Sequence, residues 1–279
     1  MKSGLLGVVG YPIGHSVSPV MMNAALNASG RENILYIAVE AKPRDLERFV
    51  SSARYMNFIG FNVTIPHKVS VIKFLDRLHR EAKLVEAVNV VKFVGEKKVG
   101  YNTDVIGVEA CLTEPVNGKA VVLGVGGGAR AAAIALWRKG FDDLFFAGRR
   151  LSTMNEFRKF IMRRNISARI VKFGSAELAQ AIKQAELLVN ATPVGMYPNT
   201  DSSPIPSNLI HRKLTIFDMV YNPVETKLLK VGKARGAKTI NGIKMLVAQG
   251  AEAFRIWLGE DPDEKVMAKA ALTALRRRR

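Results

Sequence analysis

Short apolar runs rich in β-branched residues recur along this chain, each followed by a polar or glycine-containing turn and then by a segment with apolar residues at helical spacing. Leu5 to Val9, Ile34 to Val39 and Ile59 to Val63 read as strands, because they are short, apolar and bounded by Gly, Pro or Asn. Met21 to Ala28 and Pro43 to Tyr55 read as helices between them, and a further helical stretch is expected up to Leu84. Ala87 to Val94 and Lys97 to Gly100 then form a hairpin turning at Gly95. From Ala120 the rhythm restarts, with strands at Ala120 to Leu123, Leu144 to Ala147, Ala168 to Val171, Leu187 to Val189 and Thr215 to Phe217 and helices between them. Two helices close the chain, over Lys244 to Trp257 and Pro262 to Leu275. Such alternation predicts an α/β protein with largely parallel sheets, whose ligands sit beyond the carboxyl ends of the strands.

The restart is also the richest local signal. After Ala120 to Leu123 come Gly124, Gly126, Gly127 and Gly128, then Ala129 and an Ala-rich helix. Gly124, Gly126 and Ala129 fit the G-x-G-x-x-G/A spacing, in which small residues allow a tight turn and close approach of backbone to a pyrophosphate at a helix N-terminus. The following strand ends in Gly148, Arg149 and Arg150, with no carboxylate to take a ribose 2′-hydroxyl. Two guanidiniums there suit the 2′-phosphate of NADP, the alternative being solvated loop charges.

In the first half, the loop Gly10 to Pro19 presents Ser16 and Ser18 where a strand passes into a helix. Ser18 reads either as an N-cap or, with Ser16, as a seat for a carboxylate. The strand ends also gather Asn62, Thr64 and Lys68, and the hairpin delivers Tyr101, Asn102, Thr103 and Asp104 to a helix start. Asp104 can cap that helix, or pair with Lys68 at the same sheet edge.

Composition narrows the class. At 279 residues the chain suits two domains, and an apolar share of 48% with 24% charged residues is that of an ordinary globular protein. No apolar run is long enough for a bilayer, and glycines and Pro12 break the N-terminal segment that faintly resembles a signal peptide, so the cytoplasm is expected. A single cysteine, Cys111, excludes an internal disulfide framework, and His15, His67, His79 and His211 offer no zinc spacing, so no metal is expected. The formal charge of +18 and the run Arg276 to Arg279 invite a nucleic-acid reading, but the other basic residues are spread evenly and no nucleic-acid motif accompanies them. The same field attracts an anionic cofactor and a small acidic substrate.

Read together and in order, GYPIGHSVSP, FNVTIPHK, EAVNVV, GYNTD, GVGGGAR, NATPVGM, DMVYNP and NGIKMLVAQG resemble the shikimate dehydrogenase family over nearly the whole chain. The resemblance implies an N-terminal α/β substrate domain with a mostly parallel sheet, a Rossmann dinucleotide-binding domain and a cleft between them. The substrate domain would be discontinuous, residues 1–103 plus 242–279, with 104–241 binding NADP. Lys68 and Asp104 match the family's catalytic pair, and Ser16 and Ser18 its carboxylate-binding serines. Thr64, Asn89 and Gln249 match the residues holding the ring hydroxyls, with Asn62 beside them, and Tyr221 matches a residue near the carboxylate. Met219 and Gly242 match the nicotinamide pocket, while Gly124 to Ala129 and Asn190, Ala191 and Thr192 match NADP contacts.

The implied activity is the reversible, NADP-dependent interconversion of 3-dehydroshikimate and shikimate by a monomer or homodimer. A quinate/shikimate dehydrogenase of relaxed specificity using NAD or NADP is the nearest alternative. A non-catalytic sensor or nucleic-acid-binding protein on the same fold is another, which the presence of both Lys68 and Asp104 opposes. Two positions depart from the family: Gly148-Arg149-Arg150 stands where N-R-T is common, and Met22 where a histidine is usual.

Overall fold

The computed structural model describes residues 3–14, 16–112 and 118–277, so His15 and the last two arginines of the basic tail lie outside the described residues. The chain divides into two compact units, Met1–Ile106 with Val247–Arg279, and Gly107–Leu246.

The first unit begins with β1 (Gly4–Gly10), α1 (Ser18–Ala28), β2 (Ile34–Glu40), α2 (Leu46–Ser52) and β3 (Gly60–Val63). It continues with β4 (Arg77–Leu78), α3 (Arg80–Val85), β5 (Val90–Val94), β6 (Lys97–Tyr101) and the first residues of α4 (Asp104–Cys111). Its sheet runs β2-β1-β3-β5-β6-β4, and only β5 is reversed, being antiparallel to both neighbours. Both faces of β1 and β3 are covered, which is why these strands read as short, largely apolar runs, with Asn62 the polar exception in β3. One side is filled by Phe49, Phe58 and Phe61, whose rings meet edge to face at 5.0 to 6.4 Å.

Two expectations are corrected here. The helix predicted from Pro43 to Tyr55 is a 3-10 turn followed by the shorter α2, and the chain after Ser52 unwinds into turns where Tyr55 and Met56 are exposed and offer no apolar stripe. The helical stretch predicted up to Leu84 is interrupted: a 3-10 turn over Ser70–Phe74 leads to β4, which pairs with β6 at the sheet edge, before α3. The two-residue strand is too short to leave a period in the sequence.

The second unit holds β7 (Lys119–Leu123), α5 (Gly127–Arg138), β8 (Asp143–Gly148), α6 (Leu151–Met162), β9 (Ala168–Lys172) and α7 (Ala176–Gln184). Then come β10 (Leu187–Asn190), β11 (Thr215–Asp218), α8 (Lys227–Ala234) and β12 (Lys238–Ile240), the last an edge strand that the pattern of apolar residues does not reveal. The strand order is β12-β11-β10-β7-β8-β9 with every pair parallel, the doubly wound order of a Rossmann sheet. The order reverses between β7 and β10, so the loops that follow these two strands flank the switch point. A core of Val121, Leu123, Phe145, Leu188, Ile216 and the inner faces of α7 and α8 closes one side.

The chain completes itself with α9 (Ile243–Leu258) and α10 (Glu264–Arg276). Asp263 caps α10 by accepting from the backbone N–H of Lys265 and Val266, and α10 packs on α1. Trp257 ties the end of α9 to the first sheet by donating to the Val91 carbonyl at 2.9 Å. The expected domain boundaries, 103/104 and 241/242, stand three and five residues before the divisions at 106/107 and 246/247, which fall within α4 and α9.

Candidate active site and dinucleotide cradle

In the first unit the loop after β1 and the turn after β3 lie side by side, because β1 and β3 are parallel neighbours and Tyr11 donates from its backbone to the Ile65 carbonyl at 3.0 Å. The turn is held at both ends. Buried His67 donates from its ring to the Ala41 carbonyl at 2.8 Å, and the Lys68 carbonyl accepts from Val88 N–H at 2.7 Å. Lys68 therefore leaves a fixed backbone, and its Nζ reaches Oδ2 of Asp104 at 2.6 Å. The Asp104 side chain is 3% exposed and that of Lys68 19%, so the carboxylate is enclosed while the ammonium keeps a path outward.

Asp104 is the first residue of α4, and its carboxylate does not cap the helix. Asn102 serves that end by accepting from Asp104 N–H through Oδ1 at 3.0 Å, which frees the carboxylate for Lys68 and Asn89. Asn89 donates through Nδ2 to Asp104 Oδ1 at 3.0 Å, Thr103 Oγ1 at 2.9 Å and Gln249 Oε1 at 3.2 Å, and accepts from Thr103 N–H at 2.7 Å. Asn62 donates to the Asn89 carbonyl at 3.0 Å and accepts from the Tyr36 hydroxyl at 2.6 Å. A continuous polar chain thus runs from Tyr36 through Asn62, Asn89 and Asp104 to Lys68. Every donor in it has an acceptor, as a buried network requires.

Ser16 and Ser18 are buried at the head of α1. The cap expected of Ser18 is not formed: Val17 occupies the N-cap position, Ser18 is the first helical residue, and it is Ser16 Oγ that accepts from Ser18 N–H at 3.2 Å. Pro19 stands in the first turn, where its missing N–H leaves no intrahelical bond unmade. Thr64 stands half-buried at the end of β3, its N–H bound to the Val9 carbonyl at 2.9 Å.

The first unit therefore gathers Lys68, Asp104, Asn62, Asn89 and Gln249 in one network, with the turn that carries Thr64 bonded to the loop that leads to Ser16 and Ser18. Tyr221, Met219 and Gly242 belong to the second unit. Thr103 and Tyr36 were not singled out as site residues from the sequence. Nothing in the sequence marks Tyr36, which sits in a run, Ile34 to Val39, that is apolar throughout.

In the second unit, Gly124 has a φ of +121°, and a Cβ there would stand 3.0 Å from the Ala191 carbonyl oxygen, so the loops after β7 and β10 meet at a residue that must be glycine. Gly126 is the N-cap of α5, no side chain caps this helix, and nothing lies within 4 Å of where a Gly126 Cβ would be. The first N–H groups of α5 thus face an open backbone cradle of the kind a pyrophosphate needs. Gly128 lies beside it, a Cβ there standing 3.6 Å from Met219 Sδ, and Gly242 passes so close that a Cβ would be 2.6 Å from the Met219 carbonyl oxygen. Arg149 and Arg150 are both exposed at the end of β8, next along the sheet edge from the glycine loop. The departure at Gly148 has a local cause, because Met154 and Val125 fill the space that a side chain at 148 would take. These residues fit a dinucleotide bearing an extra phosphate. Asn190 accepts through Oδ1 from Thr192 N–H at 3.1 Å and Thr192 Oγ1 at 2.7 Å, which shapes the loop after β10.

Residues 8–91 match the model of the shikimate dehydrogenase substrate binding domain, and residues 242–272 that of the shikimate 5′-dehydrogenase C-terminal domain. The shikimate dehydrogenase (NADP(+)) of Methanococcus maripaludis is 39% identical over 280 residues, covering 99% of each protein. That of Archaeoglobus fulgidus is 43% identical over 273 residues, covering 97% of this chain and 98% of its own. The crystal structure of shikimate 5-dehydrogenase from Thermus thermophilus in complex with NADP(H) and shikimate superposes with a TM-score of 0.85 at 34% identity, over 97% of this chain and 99% of that one. With similarity of this degree running from end to end, the chain belongs to the shikimate dehydrogenase family.

Proposed function

We propose that this protein catalyses the NADP-dependent, reversible reduction of 3-dehydroshikimate to shikimate. The observation that carries the reading is the Lys68 and Asp104 pair, 2.6 Å apart at the end of a satisfied polar network within a chain of this family. When bound, NADPH supplies the hydride to the ring carbonyl carbon. Lys68 Nζ, bonded to one carboxylate oxygen among the described residues, has protons left to give the C3 oxygen as negative charge develops there. In the reverse direction it accepts the hydroxyl proton. Asp104 holds the ammonium in place and balances its charge, and Asn89 fixes the other carboxylate oxygen.

Thr64, Asn62, Asn89 and Gln249 are assigned to the ring hydroxyls, and Ser16, Ser18 and Tyr221 to the carboxylate. Gly124 to Ala129, Asn190 to Thr192, Met219 and Gly242 are assigned to the dinucleotide, and Arg149 and Arg150 to its 2′-phosphate. The substrate thus falls mainly to the first unit and the cofactor to the second. A monomer or homodimer in the cytoplasm accommodates this reading, in which a net charge of +18 favours encounter with both anionic ligands. Among the described residues no helix is long and apolar enough to cross a membrane. Initial rates with shikimate and with quinate, each with NADP and NAD, test the proposal. The expected preference is shikimate with NADP, and higher kcat/KM for quinate or for NAD would replace it with the relaxed-specificity enzyme.

A further inference from the structure

Asp218, the last residue of β11, is 0% exposed and has no part in the assignments above. Its two oxygens are divided between different tasks. Oδ2 accepts from Thr226 Oγ1 at 2.6 Å, and Thr226 is the N-cap of α8, accepting in turn from Leu229 N–H. Oδ1 accepts from Asn190 Nδ2 at 2.9 Å and from Val220 N–H at 3.0 Å. Those two donors belong to the two segments that border the dinucleotide cradle, the loop after β10 and the segment Met219 to Tyr221.

From Oδ1 the connections run directly into the cradle. Asn190, held by Asp218 on one side, holds Thr192 on the other, and the Ala191 between them abuts Gly124 of the glycine loop. Met219 N–H donates to the Asn190 carbonyl at 3.0 Å, its sulfur borders Gly128, and its carbonyl borders Gly242. The glycine loop, the loop after β10, Met219 and Gly242 thus all lie within three links of a single carboxylate oxygen. Burial pushes the Asp218 carboxyl up to about 6, so near neutral pH it is ionised and accepts charge-assisted bonds from its three donors.

We propose that Asp218 is a positioning residue for the cofactor, its Oδ1 locking the Asn190–Thr192 loop and the Met219–Tyr221 segment into the register that binds NADP(H). This rests on the assignment of NADP to the second unit. It is separable from a stabilising role, because α8 is served by the other oxygen.

The test is direct titration of NADPH, by protein fluorescence or calorimetry without substrate, on the full chain and three variants. Wild-type protein that fails to bind NADPH overturns the cofactor assignment itself. Given wild-type binding, Asp218→Ala is expected to raise the Kd about tenfold or more, the order of one lost charge-assisted bond. Its kcat at saturating NADPH is expected to fall much less. Thr226→Val, which removes the Oδ2 partner and the cap of α8 but leaves both Oδ1 bonds, and Asp218→Asn, which keeps an oxygen for Asn190 and Val220, are both expected to stay within about threefold of wild type in NADPH affinity, well short of that loss. If Asp218→Ala does not fold, Asp218→Ser, too short to reach both donors, carries the same expectation. Unchanged affinity in a folded Ala or Ser variant overturns the proposal, and so does an equal loss in Thr226→Val or in Asp218→Asn.

Discussion

The Lys68 ammonium lies 2.6 Å from Asp104 Oδ2 although 36 residues separate the two in the chain. The sheet creates this meeting. The turn after β3 and the end of β6 both emerge at one edge, because β5 runs back between them and reverses the chain twice. The pair is one-sided, with the carboxylate enclosed and saturated and the ammonium reaching outward.

In the proposed mechanism that asymmetry leaves Lys68 as the group that meets substrate. Lys68→Ala is expected to lower kcat by about two to four orders of magnitude, as for loss of a positioned acid or base, with circular dichroism and thermal midpoint little changed. A folded variant with wild-type turnover would remove the lysine from the mechanism.

The exposed guanidiniums at the end of β8 govern cofactor choice in this reading. Changing Arg149 and Arg150 together to Ala is expected to weaken NADP by about a hundredfold or more, at about 1.5 to 3 kcal/mol for each charge-assisted bond, and NAD by much less. Equal weakening of both cofactors would assign the arginines to the loop's own structure.

Ser16 and Ser18 can be separated from a capping role. The bond from Ser18 N–H to Ser16 Oγ is worth about 1 kcal/mol, so a small fall in thermal midpoint is expected when both become Ala. Their loss as carboxylate ligands is expected to raise KM for shikimate by about tenfold or more while NADPH affinity holds. A lowered midpoint with unchanged KM would leave them as helix-end residues only.

Asp218 carries a pH signature. Burial raises its folded pKa from the ordinary 3.8 to about 6, so the fold holds this proton more tightly than the unfolded chain does. The stability it contributes is fully present below about 4 and is lost as pH rises through about 6, a change on the order of 3 kcal/mol. Relative to wild type, Asp218→Asn is expected to gain stability over this window in thermal melts. A constant difference from pH 4 to 7 would contradict the assignment.

Cys111 is buried on α4, and burial pushes its thiol up to about 11. The thiolate needed for reaction is therefore scarce at neutral pH. A disulfide exchange reagent is expected to find no fast-reacting thiol in the native protein and one in denaturant. Rapid native labelling would show that α4 opens readily.

Local order was largely legible in the sequence because it is enforced by neighbours along the chain. The apolar runs of β1, β3, β7 and β10 announce strands buried on both faces, and Gly124 with Ala129 announces a turn into a helix where nothing larger than glycine fits the first position. Lys68 and Asp104 stood out by residue type and position. What lay beyond the sequence depends on contacts between distant segments: the edge strand β4, which exists through its pairing with β6, and the choice of Ser16 over Ser18 as the side chain serving α1. The same holds for Tyr36 and Thr103 in the network behind Lys68 and Asp104, and for Asp218, whose two oxygens serve donors from three segments. A hydrogen bond between residues far apart in sequence leaves no period and no spacing, so its existence was decided only when the sheets brought their strand ends together.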